Sequence, residues 1–240
     1  MSRLDCGAVA IALLAMGQAC ATDMGMGMGS PPLILSFSAD RAEARLRDGD
    51  DAFVWDAEGW IGGDLNKVGF RTRGETDDNG SAEEAELQLL FSRAILPFWD
   101  LHAGLRHDLR PNPSKTYAVL SVEGTAPYRV EVEASAFVSE DGDASAELEL
   151  EYDLRLTQQW ILQPRVDFDF AFSQVSELDV GKGPSELETG LRLRYEFTKQ
   201  FAPYLGVVYE TALGDTRDLR KDAGEDRSSW SLVLGLKAWF

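Results

Sequence analysis

Long stretches of this chain alternate apolar and polar side chains with a period of two. In SAELELEYDLRL (145–156), Ala146, Leu148, Leu150, Tyr152, Leu154 and Leu156 take one face, and Glu147, Glu149, Glu151, Asp153 and Arg155 take the other. A helix scatters such residues around its circumference, whereas a strand separates them cleanly. The same separation recurs in ELETGLRLRYEF (186–197), WILQPRVDFDFAF (160–172), YRVEVEASAFV (128–138) and WSLVLGLKAWF (230–240). These segments run about 10 to 13 residues, longer than the usual globular strand and long enough to cross a bilayer as tilted strands. One apolar and one charged face on strands of that length predict a transmembrane antiparallel β-barrel, an all-β fold.

About twelve strands are expected, near 33–47, 51–61, 66–75, 83–94, 98–109, 115–124, 128–139, 143–156, 159–172, 185–197, 200–212 and 228–240. An even count suits a single-chain bacterial barrel. The connections carry an independent signal. Every second one is short (GDLN, LPF, GTAP, TQQ, TKQ), and the intervening ones are more polar and several are long, up to GDTRDLRKDAGEDR. Short periplasmic turns on one rim and longer extracellular loops on the other are the asymmetry of such barrels. The last strand also ends on an aromatic residue, Phe240, in phase with Ala238, Leu236, Leu234 and Leu232.

Upstream of the alternating region, residues 1–21 read as a secretory signal peptide. AVAIALLAMG is too short to span a bilayer, and Ala19-Cys20-Ala21 fits a small-x-small cleavage site. Cleavage there removes both cysteines, Cys6 and Cys20, and with them any disulfide framework or thiolate metal site. Residues 22–32 form a short Met/Gly leader in which Met24, Met26 and Met28 alternate with glycine, and 33–240 form the barrel. Thioether sulfur is a soft ligand that favours Cu(I). Glycines between the methionines leave the backbone free to wrap three sulfurs around one ion.

The formal net charge is -18. Nucleic acid is excluded as a partner, because phosphate contacts need a basic face. Outer-membrane lipid is the expected surround. Alternation sends the charges inward, and the predicted lumen holds Asp56, Glu58, Asp64, Glu75, Glu84, Glu86, Asp100, Asp108, Glu131, Glu133, Glu147, Glu149, Glu151, Asp153, Asp167, Asp169, Glu186, Glu188, Glu196 and Glu210. Arg71, Arg73, Arg106, Arg129, Arg155, Arg165, Arg192 and Arg194 join them. Buried charges must pair, so a cross-barrel ion-pair mesh is expected. Surplus carboxylates would also give a cation-attracting potential. The histidines are His102 and His107, on opposite faces of one strand. His102 shares the inward face with Asp100, Arg106 and Asp108, so Asp100, His102 and Asp108 are the lumen metal candidates beside a reading of His102 as a satisfied polar side chain. No catalytic set stands out, and the chain is expected not to be an enzyme.

WDAEGWIGGDLNK, ELQLLFSRAILPFWDLHAGLRHDLRP, APY, EYDLRLTQQWILQPRV, GLRLRYEF, FAPYLGVVYE and the terminal KAWF resemble, in order, the copper resistance protein B family of Gram-negative outer membranes. The resemblance implies an outer-membrane barrel that binds copper, Cu(I) or Cu(II), as cargo and helps sequester it or export it from the periplasm. It also implies a periplasmic multicopper oxidase and copper carriers as companions. Family members often carry a long Met-, His- and Asp-rich leader. Here TDMGMGMGSPP is short and lacks histidine, which weakens any reading as a high-capacity copper store. The competing expectation is a cation-selective or purely structural outer-membrane barrel without metal specificity.

Overall fold

The computed structural model describes residues 33–47, 51–77, 79–175, 180–224 and 226–240. The expected signal peptide (1–21) and leader (22–32), with Met24, Met26 and Met28, lie outside the described residues.

The strands are β1 (Ile34–Arg47), β2 (Ala52–Gly62), β3 (Asn66–Thr76), β4 (Ala82–Leu96), β5 (Trp99–Arg110), β6 (Lys115–Ala126) and β7 (Val130–Ser139). They continue with β8 (Ala144–Tyr152), β9 (Leu154–Arg155), β10 (Trp160–Ala171), β11 (Gly183–Tyr195), β12 (Phe201–Ala212) and β13 (Ser228–Trp239). Consecutive staves pair antiparallel, and β1 pairs with β13 to close the ring. Both β8 and β9 pair with β10, forming one stave interrupted at Asp153. The result is a closed barrel of twelve staves. At the seam, Phe37 and Phe240 exchange backbone hydrogen bonds of 3.0 and 2.8 Å. Closure satisfies the backbone of every stave internally, as a hydrocarbon surround requires.

The expected alternation holds along the staves. On β4, Leu87, Leu89 and Phe91 face outward at 49, 62 and 47% exposure, whereas Glu86, Gln88, Leu90 and Ser92 are 9% exposed or less. Aromatic rings gather near both rims. Trp160, Tyr195 and Phe197 stack edge-on at 4.8 Å near the short-turn rim, and Tyr209 meets Trp230 at 4.7 Å near the other. Amphipathic rings belong at these two heights, where the membrane surface lies.

Three predicted lumen charges are not enclosed. Asp64 lies in the turn after β2, Arg129 in the tight turn before β7, and Arg155 at the end of its stave, all solvent-exposed at the short-turn rim. Other charges point inward that simple alternation does not reveal. In β1 the register slips after Ala39 against both neighbours, the signature of a β-bulge. The slip puts Asp40 and Arg41 on the same side in succession, and thereafter Glu43 and Arg45 face the lumen at 0 and 3% exposure.

The final long loop holds an unforeseen helix, α1 (Gly214–Ala223), closed by Gly224 in the left-handed conformation at φ 81°. It leans on the rim beside β11. The Gly181 amide donates to Thr216 Oγ1 at 3.0 Å, and Arg220 pairs with Glu186 at 2.9 Å. A side chain at position 181 would collide with Asp215, its Cβ lying 2.5 Å from that residue's Cβ, so glycine permits this docking.

The barrel lumen as candidate functional site

Inward charges are not distributed evenly around the ring. On the seam side, the fully buried Glu43 of β1 accepts from Arg192 Nε at 3.0 Å, Arg45 Nε at 2.9 Å and the Tyr204 hydroxyl at 3.1 Å. Arg45 also grips Glu188 with both terminal nitrogens, at 2.9 and 3.1 Å. This two-point geometry uses the planar guanidinium fork and is among the stronger ionic contacts available to a protein. Gly235 makes room for the cluster, because a Cβ there would sit 2.4 Å from the Tyr204 ring.

Ion pairs also cross the barrel near mid-height. Arg73 of β3 reaches Asp56 at 3.2 Å, Glu147 at 2.7 Å and Glu149 at 3.5 Å. Arg165 of β10 binds Glu149 at 2.6 Å and Asp167 at 2.9 Å. Arg71 spans from β3 to Glu133 of β7 at 2.7 Å. The lumen is therefore filled by paired charges, as the inward acids and arginines predict.

Two cavities flank this layer. The one of about 430 Å³ reaches toward the short-turn rim, with Phe98, Asp100, Glu123 and Thr125 among its walls. The one of about 650 Å³ lies under the longer loops, with Glu84, Glu186, Glu210, Thr216 and Arg220 among its walls. Carboxylates outnumber cationic side chains around both. Such a surplus in low-dielectric walls attracts cations.

The wall opposite the seam is different. Leu90, Val119 and Phe137 form a small buried cluster with Tyr117 against it. The Arg106 guanidinium lies over the Tyr117 and Phe137 rings, at 5.4 and 5.1 Å. Ser92, Ser121 and Ser135, each at most 7% exposed, run with His102 in one cross-strand row.

The lumen metal candidates fall apart in space. Asp100 is held by Lys67 at 2.6 Å, and Asp108 by Arg106 at 2.6 and 3.1 Å. Eight residues of strand separate the two aspartates, about 27 Å. Between them, His102 Nδ1 meets Ser92 Oγ at 2.7 Å, and its Nε2 stands 3.4 Å from Glu123. Neither Ser92 nor His102 lines either cavity. Among the described residues no group of three or more His, Cys, Asp or Glu side chains is placed to hold a metal ion. Sequence reasoning missed Ser92, Glu123, Glu43 and Arg45. Glu43 and Arg45 do stand at alternating positions in DRAEARLR, and only the bulge hides their phase.

Leu33, the first described residue, precedes a strand that begins at the short-turn rim, where Ile34 pairs with Gly62. A family model described as copper resistance protein B precursor matches residues 33–240. The chain belongs to the copper resistance protein B family. It is 42% identical over 204 residues to a copper resistance protein B homolog of Pseudomonas syringae pv. tomato, covering 85% of this chain and 69% of that one. It is 39% identical over 201 residues to copper resistance protein B of Escherichia coli, covering 84 and 68%. The fold is shared with solved outer-membrane barrels at low identity. The NanC porin aligns at a TM-score of 0.55 and 10% identity over 85% of this chain and 99% of that one. Outer membrane phospholipase A from Escherichia coli aligns at 0.50 and 13%, over 85 and 92%. This family member is thus an outer-membrane β-barrel linked to copper resistance.

Proposed function

We propose that this barrel binds copper as cargo at its periplasmic end and helps to sequester it or to export it from the periplasm. Membership of the copper resistance family over residues 33–240 carries the reading. Two features support it. The Met24, Met26 and Met28 set lies just upstream of Leu33 in the sequence, and thioether sulfur selects soft Cu(I) where carboxylates discriminate poorly. The chamber on the short-turn side has an acidic surplus that favours cations near that rim. A periplasmic multicopper oxidase and small copper carriers are the proposed partners, receiving or delivering the ion in the periplasm.

Replacing Met24, Met26 and Met28 together by leucine is expected to weaken Cu(I) binding in a competition titration. It should also lower copper tolerance when the variant complements a deletion strain. Unchanged stoichiometry and affinity would remove the methionines from the site. Unchanged copper tolerance on deletion would overturn the copper reading itself. The heavily paired lumen favours a second reading, a structural or cation-selective barrel without metal specificity. Equal loss of copper, zinc and silver tolerance on deletion would mark that case.

A further inference from the structure

We propose that Arg73, Glu149 and Arg165 form a side-chain gate that closes the lumen at rest and can swing aside to open a cation path. Arg73 and Arg165 are walls of both cavities, so the two guanidinium groups stand between the chambers. They come from β3 and β10, on opposite sides of the ring. Glu149 joins them, 3.5 Å from Arg73 and 2.6 Å from Arg165. The bridge therefore runs from one wall to the other through a shared carboxylate.

The same contacts show why the bridge can move without stranding a charge. Arg73 lies 3.8 Å from Glu133, a wall of the short-turn chamber, and 2.7 Å from Glu147, a wall of the loop-side chamber. Arg165 likewise lies 3.7 Å from Glu151 on the first side and 2.9 Å from Asp167 on the second. Each guanidinium thus keeps a carboxylate partner whichever way it turns, and the cost of an unpaired buried charge is avoided. A cation that takes the vacated place beside Glu149 restores charge balance. In the closed position, the two positive groups repel a cation passing between the chambers. The carboxylate surplus of the chambers sets the sign of the ions admitted once the gate opens. The gate rests on lumen geometry alone and stands whether or not copper is the cargo.

The test is conductance of the full-length protein in planar lipid bilayers in potassium chloride, without copper. The wild type is expected to give brief openings. Arg73→Ala/Arg165→Ala should carry a steady mean current at least about tenfold larger, with a reversal potential in a salt gradient that marks cation selectivity. Glu149→Gln alters only the shared carboxylate and should lengthen the wild-type openings several-fold without the full steady current. It also covers the case in which the double variant fails to fold, which the shift between heated and unheated bands on a gel reveals. A wild type as steadily conducting as the double variant would show that no gate exists. Silence of the wild type and of folded Glu149→Gln alike would show a permanent plug and overturn the proposal. Copper tolerance is scored separately in cells, so failure of the gate and failure of the copper reading give different results.

Discussion

The seam wall of the lumen and the wall facing it are built from different chemistry. Across the seam, Glu43 and Arg45 of β1 bind Arg192, Tyr204 and Glu188 of β11 and β12, partners 143 to 161 residues away in sequence. On the opposite wall, the contacts around the serine row and the apolar cluster are local, although Arg71 reaches Glu133 from across the lumen. Ser92 meets His102 ten residues on, and Arg106 meets Asp108 two residues on, beside the apolar Leu90, Val119 and Phe137. Hairpin pairing already holds neighbouring strands such as β4 and β5 together. The first and last strands have no short connection, so ring closure must be held by contacts that exist only in the closed barrel. The buried ionic cluster stands at that joint.

The largest effect should come from removing the anion at the centre of the seam. Glu43→Ala leaves Arg45 and Arg192 without their shared partner in a site that is 0% exposed, a change of about 3–5 kcal/mol. Denaturant unfolding in detergent or lipid vesicles should show it, and a loss under about 1 kcal/mol would deny the seam its special role. Next comes Gly235→Ala, which forces a methyl group against the Tyr204 ring; overpacking of this kind costs about 1–3 kcal/mol. Combining it with Tyr204→Phe should not relieve the clash, because the ring remains. Tyr204→Phe alone removes one charge-assisted hydrogen bond to Glu43 and should cost about 1.5 kcal/mol. On the opposite wall, Ser121→Ala is the mildest change, expected to cost no more than about 1 kcal/mol. Equal losses for Ser121→Ala and Glu43→Ala would erase the contrast between the walls.

Much of this architecture is readable in the amino-acid order. Alternation in segments such as SAELELEYDLRL separates a lipid face from a lumen face, and the staves observed at β8, β10, β11 and β13 follow it. Departures occur where a local irregularity breaks the period. The slip after Ala39 hides the inward turn of Glu43 and Arg45, and Arg129 falls in a tight turn instead of on a stave. Helix α1 was also hidden, since its charged residues read equally well as loop. The candidate site was less readable. Asp100, His102 and Asp108 share a face on one strand, yet each takes a different partner: Lys67 of β3, Ser92 of β4 and Arg106 of β5 itself.

The sequence by itself determined the fold class, the number of staves, the rim asymmetry and the acidic character of the interior. These depend on side-chain period and connection length, both properties of neighbouring residues. Only the tertiary structure decided which interior charges meet. Arg73 finds Glu147 seventy-four residues away, and Arg71 reaches Glu133 sixty-two residues away. Such pairings follow from the strand stagger and ring closure that bring opposite walls together. No local pattern encodes that distance, so neither the two chambers nor the bridge between them could be read before the barrel was closed.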